Sequence, residues 1–265
     1  ARSCAQAPGD ARSFKAIQGL VFATVCLPGA ESHLDFSLGL LEHEINRQIF
    51  PDGGHIERNP SRVLELLSRF NQIRALLVAA HIEVPMELQG AIDRIPPMLR
   101  ALRLGDGALA MFNGGLEEDR SQIDAVLTET GVRGKALTSA PHSGFQRLVA
   151  GRTVIIVDTG KPPLTGGINA HAGSLSFEMS VGKDRLIVNC GAPGSESDHW
   201  LDAMQGTAAH STLSADEKDS AQFGSDGSVT TGPSNVECLR READGSVWLE
   251  TSHDGYRRSI GILHR

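Results

Sequence analysis

Apolar side chains recur every three or four positions through the first half of the chain. Through much of the second half they recur every second position. In 13–27, Phe14, Ile17, Val21 and Val25 fall near one face, and Pro28-Gly29 ends the run. Such spacing predicts an amphipathic helix, because 3.6 residues per turn bring these positions together. A second helix is predicted to about Phe50 on Leu34, Leu38, Leu41, Ile45 and Ile49, with Ser32 placed to cap it. Pro51-Asp52-Gly53-Gly54 ends that helix. Asn59-Pro60 is the next start signal: Asn accepts free first-turn amides, and Pro at the first position has no needed amide to lose. The following helix, to about His81, carries a wide stripe of Val63, Leu66, Leu67, Phe70, Ile73, Leu76 and Leu77. A fourth is predicted over 86–103, kinked or restarted at Pro96-Pro97. Leu109 to Phe112 reads as a short strand, and 117–130 as a fifth helix ending at Gly131.

The period changes to two near Gly134. Phe145 to Val149 and Thr153 to Asp158 predict a hairpin around Ala150-Gly151. In 174–181, Leu175, Phe177 and Met179 alternate with Ser174, Ser176, Glu178 and Ser180, which predicts a half-buried strand. Residues 185–190 are its return strand after a turn at Gly182-Lys183. A two-residue turn there sets Phe177 beside Val188 and Asn189 on the other face; a three-residue turn reverses this, since one residue of register flips every side chain. Val236 to Glu242 and Val247 to Thr251 flank Ala243-Asp244-Gly245-Ser246, a further hairpin signal, and Arg257 to Leu263 is expected to add a strand. Helices first and strands afterwards predict two domains, or an α+β pair of layers, with a boundary near residue 133. Short loops between helices predict antiparallel neighbours in a layered helical array.

A net charge of −7 argues against a general nucleic-acid binder, but leaves room for an acidic sugar polymer on a local arginine cluster. No apolar run approaches membrane-spanning length. Cys4, Cys26, Cys190 and Cys238 are too widely spaced for a zinc ribbon or a CxxC motif, and read as reduced thiols. The sequence opens without Met or a signal-peptide pattern and closes at His264-Arg265, so a fragment of a longer protein is expected.

Several motifs follow one another in order: Asp-Gly-Gly-His-Ile-Glu-Arg-Asn-Pro from Asp52, Ala-His-Ala-Gly-Ser-Leu-Ser-Phe-Glu from Ala170, Val-Asn-Cys-Gly from Val188, Ala-Ala-His-Ser-Thr from Ala208 and His-Asp-Gly-Tyr from His253. That succession resembles the heparinase II/III-like family of polysaccharide lyases from about Phe14 to Arg265. The resemblance implies an incomplete α/α toroid over 1–133 and an antiparallel β-sandwich over 134–265. It further implies β-elimination on a uronate-containing polysaccharide such as a glycosaminoglycan, and a periplasmic or cell-envelope location. His171 stands at a metal-ligand position of the family's His-x-His-x-Asp pattern, with Asn169 in place of the first His. Asn189 occupies the place of an Asp ligand, and His210 matches a later His ligand. A structural zinc ion on His171, Asn189 and His210 is therefore implied. Arg62 stands where the family carries a Tyr, and Ala11-Arg12 where it carries an Asn-His pair.

β-Elimination requires a group that neutralises the uronate carboxylate, a base for the C5 proton and an acid for the leaving O4. Arg or an amide suits the first task, and His or Tyr the others. His55, Glu57 and Arg58 sit in a loop at a helix end, where functional groups concentrate. With Asn169 and with Tyr256, the only tyrosine, they form the candidate catalytic set. Trp200 and Trp248 are candidates for stacking on sugar rings. Two rival readings stand beside the lyase: a non-catalytic polysaccharide-binding relative that kept the fold, and a cell-envelope scaffold protein.

Overall fold

The computed structural model describes residues 11–163, 170–192, 198–225 and 227–265. Five helices come first: α1 (Ala11–Cys26), α2 (Leu34–Gln48), α3 (Pro60–Ala79), α4 (Met86–Ala101) and α5 (Arg120–Thr130). Asn59 caps α3 as expected, its Oδ1 accepting from the amides of Ser61 and Arg62 at 2.9 and 3.2 Å. Asp119 does the same for α5, and Gly131 closes that helix at φ 71°, where a glycine pays no steric penalty.

Four local expectations are corrected. Ser32 caps nothing: it lies within a 3-10 turn, Glu31–His33, and α2 starts without a side-chain cap. α4 runs through Pro96-Pro97 without restarting. Leu109 to Phe112 is no strand; Leu109 makes a single bridge to Arg103. Arg257 to Leu263 is no strand either, because α7 (Arg257–Ile260) turns there and stops at the left-handed Gly261.

The apolar stripes meet in one core. α1 packs on α2 and α3, and α3 on α4 and α5. Phe14, Leu41, Ile45, Leu67, Phe70, Ile73 and Ile92 are all buried, with Phe14 and Phe70 edge to face at 5.3 Å. That core continues into the sheet through Ala140, Phe145, Val154 and Ile156.

The main sheet is antiparallel, in the order β1 (Ser139–Ala140), β2 (Phe145–Ala150), β3 (Thr153–Asp158), β4 (Phe177–Val181), β5 (Asp184–Ile187). Two separate hairpins follow, β6 (Gln222–Phe223) with β7 (Val229–Thr231), and β8 (Val236–Ala243) with β9 (Ser246–His253). A short helix, α6 (Asp198–Gln205), lies between the main sheet and these hairpins.

The alternation in β4 is present, but its polar face is the buried one. Glu178 and Ser180 share a face with Val154, Ile156 and Asp158 and are covered, while Phe177 and Met179 are half-buried. Helical-side groups explain this: the amide of Gly105 donates to Ser180 Oγ (2.9 Å), and the amide of Met111 to Glu178 Oε1 (2.8 Å). The turn in the β4–β5 hairpin has two residues, since Val181 pairs with Asp184. A bulge between Met179 and Ser180 then shifts the register, so that Met179 pairs with Ile187. Asn189 is thereby buried, and its amide donates to Glu178 Oε1 at 3.2 Å.

Candidate functional site

The loop between α2 and α3 faces the sheet. Asp52 accepts from the Ser143 amide at 2.8 Å and from the Ser143 hydroxyl. A Cβ on Gly54 would overlap Ser143 Oγ, so the close approach of the two segments requires glycine there. His55 is buried, its Nε2 2.9 Å from Gln48 Oε1 and its Nδ1 accepting from the Glu57 amide at 3.2 Å. Glu57 is buried and pairs with Arg62 at 3.5 Å; Arg62 also pairs with Glu65.

Arg58 spans the junction. Its guanidinium is paired with Asp158 and donates to the carbonyls of Ser143 (2.7 Å), Gly144 (3.3 Å) and Lys161, while stacking over Phe145 at 5.0 Å. Asn113 Nδ2 donates to Arg58 O and Asn59 Nδ2 to Asn113 O, which holds this backbone at its positive φ of 53°. Burial pushes the Asp158 carboxyl up, against the opposing pull of Arg58. Sequence reasoning missed Asp158, although a carboxylate closing the run Val-Ile-Ile-Val is a signal, because a buried charge demands a partner.

Beside Arg58 a cavity of about 550 Å³ opens between the helical side and the sheet. Arg47, His142 and Lys161 bring cationic or protonatable groups to it, over a floor that includes Phe50 and Pro162. Arg47, His142 and Lys161 do not stand out in the sequence, where each is an isolated polar residue. Of the five catalytic candidates, Arg58 lines this cleft. His55 and Glu57 are packed behind it, and Asn169 lies outside the described residues. Tyr256 is fully buried against His253, and its hydroxyl donates to Leu213 O at 2.7 Å. Burial raises its pKa above the ordinary phenol value. Trp200 and Trp248 are exposed.

The hairpin and the 206–211 segment bring two of the predicted metal ligands, His171 and His210, together. His171 Nδ1 and His210 Nε2 face each other at 3.0 Å. His210 Nδ1 lies 2.8 Å from Gly206 O and so carries its proton, leaving Nε2 with a lone pair toward His171. This N–H to carbonyl bond is the arrangement that orients a ligating imidazole. Asn189 Oδ1 accepts from the Ser211 amide at 3.0 Å and keeps a second lone pair. Imidazole nitrogen and amide oxygen are both donor types that zinc accepts, and the two facing imidazole nitrogens are the pair the structure brings into contact. Among the described residues, no group of three or more His, Cys, Asp or Glu gathers to hold a metal, so such a site depends on Asn189. Burial, with the neighbouring His210, holds His171 at a pKa of about 3, so the ring is neutral.

Glu178 is a buried titratable group that accepts from the Asn189 amide. Burial pushes its pKa up to about 7, against two amide hydrogen bonds and Arg185 at 3.9 Å. The folded chain therefore keeps a proton that the unfolded chain releases above about pH 4.5. Stability from this group is full below that value and is lost as pH rises through about 7. Urea unfolding across this window should show the native chain losing up to roughly 2–3 kcal/mol relative to Glu178→Gln. Parallel pH profiles for the two proteins would contradict the assignment.

Comparison with known proteins returns one consistent fold. A family model described as Heparinase II/III-like, C-terminal, matches residues 132–265. FtsZ-localized protein C of Caulobacter vibrioides (strain NA1000 / CB15N) is 34% identical over 246 residues, covering 89% of this chain and 42% of that protein. Among solved structures, a heparan sulfate lyase HepC mutant from Pedobacter heparinus superposes with a TM-score of 0.72 at 18% identity, over 92% of this chain and 42% of that one. The crystal structure of heparinase III gives 0.68 at 13% identity, over 92% and 45%. The chain thus spans less than half the length of each of these relatives.

Proposed function

The chain belongs to the heparinase II/III-like family, and from that premise we propose that it uses the lyase fold as a non-catalytic scaffold that localises with FtsZ. One observation carries the reading: the side chains that elimination would call on are committed elsewhere. His55, Arg58 and Tyr256 are buried and each is held by hydrogen bonds to its neighbours. Arg62, at the position of the family's Tyr, is bound by Glu57 and Glu65. A guanidinium does not give up its proton in proteins, so Arg62 can neutralise a carboxylate but cannot serve as acid or base. The likeness to FtsZ-localized protein C supplies the direction of the proposal. Sedimentation tests it: the chain is expected to pellet with FtsZ polymers and to stay in the supernatant without them. A chain that stays in the supernatant in both cases contradicts the scaffold role.

A second reading is favoured by the junction cleft. Arg47, His142 and Lys161 around an apolar floor suit an acidic polysaccharide that is bound without being cleaved. In either reading the helices are the later part of an incomplete α/α toroid, and the sheets the first part of a sandwich. Zinc on His171, His210 and Asn189 would be structural, tying the hairpin to the 206–211 segment. Metal analysis should find about one zinc per chain, lost in His171→Ala and in His210→Ala, with a lower melting temperature after chelation. A metal-free wild type of unchanged stability would contradict this.

A further inference from the structure

The end of α4, the last turns of α5 and the loop after α5 enclose a second cavity, of about 500 Å³, that shares no lining residue with the junction cleft. Arg100, Arg103 and Arg133 line it, and Asp124 is the one carboxylate among its lining residues. Three guanidinium charges against one carboxylate leave a local surplus of two, in a chain whose net charge is −7.

The three arginines differ in how they are satisfied. Arg103 is engaged, with Asp124 at 2.8 Å and with Gly107 O. Arg100 donates through Nη2 to Val132 O at 2.7 Å, but its Nη1 is buried without a hydrogen-bond partner. Arg133 is exposed and makes no hydrogen bond or ion pair among the described residues. A buried guanidinium N–H without an acceptor has lost its water and gained nothing in return. Burial, with the nearby Arg103, also holds Arg100 below its ordinary pKa, which marks a positive charge short of compensation. The helix-end carbonyls that would repel an anion are already bonded: those of Glu129 and Thr130 to Arg74, and that of Val132 to Arg100.

We propose that this cavity binds a phosphate monoester, whose oxygens accept from Arg133 and, once the partly exposed Arg100 side chain turns toward the ligand, from Arg100 Nη1. Charge favours that class over a carboxylate ligand. A phosphomonoester carries about −1.5 to −2 near neutral pH, matching the surplus of two, and its three oxygens suit more than one planar guanidinium donor. The cavity also has room for the organic part of an ester.

The probe is inorganic phosphate, titrated calorimetrically into the whole chain at low ionic strength, with chloride at matched ionic strength as the control. Saturable one-site binding that chloride does not reproduce is expected. Arg100→Gln and Arg133→Gln should each weaken it by about tenfold or more, and Arg257→Gln, outside the cavity, should leave it unchanged. Arg133 is exposed and makes no hydrogen bond or ion pair among the described residues, so its variant reports on binding without threatening the fold. Displacement of phosphate by glycerol 3-phosphate would identify a soluble ester, and displacement by phosphatidylcholine vesicles containing phosphatidic acid a lipid headgroup; either supports the site. Absence of saturable phosphate binding, or binding unaltered by Arg133→Gln, overturns it.

Discussion

Arg58→Ala is expected to destabilise the chain by about 3–5 kcal/mol, because removing one partner leaves a charge buried and uncompensated. The stranded partner is Asp158, which is itself buried and whose pKa is already pushed up by burial. The carbonyls of Ser143, Gly144 and Lys161 lose their donor in the same step. Urea denaturation measures the loss. Arg58→Met combined with Asp158→Asn should recover part of it, because a neutral pair leaves no buried charge. A loss below about 1 kcal/mol, the range of exposed ion pairs, would mean that water reaches Asp158 and that the junction is looser than described.

Phe70→Ala should cost a similar amount, about 3–5 kcal/mol, by lost burial and by the cavity left behind. Phe70 is fully buried at the centre of the α3 stripe and meets Phe14 of α1 edge to face. Phe14→Ala should cost less in the Phe70→Ala background than alone, by about 0.5–1.5 kcal/mol, since the aromatic contact is then already gone. Equilibrium unfolding of the two single variants and the double variant checks this. Strict additivity would remove the aromatic contact from the account.

These two residues show how far the sequence could be read. Phe70 was legible because helical burial is periodic, and α3 had a start signal in Asn59-Pro60 that the structure reproduces. The β2–β3 and β8–β9 hairpins were legible for the same local reason, since alternation and turn residues lie within a few positions of each other. Arg58 stands out in the sequence by its loop position, but its role is not legible there, because its partner lies 100 residues away. The polar face of β4 was misleading in a related way. Ser180 and Glu178 are buried by amides of the helical side, and nothing local announces them. A bulge set the register at Asn189, where turn length alone left two answers. In the candidate site, the facing of His171 and His210 followed the order of motifs. The burial of His55 and Tyr256 followed packing that no motif encodes.

A lyase fold used without lyase chemistry makes turnover the decisive measurement. The chain is incubated with heparan sulfate and with other uronate polymers, and the ultraviolet absorbance of the unsaturated product is followed. No rise above the protein-free control is expected, including with zinc supplied. A rise that grows with protein concentration and disappears in Arg58→Ala or Arg62→Ala, at a temperature where each variant is folded, would contradict it.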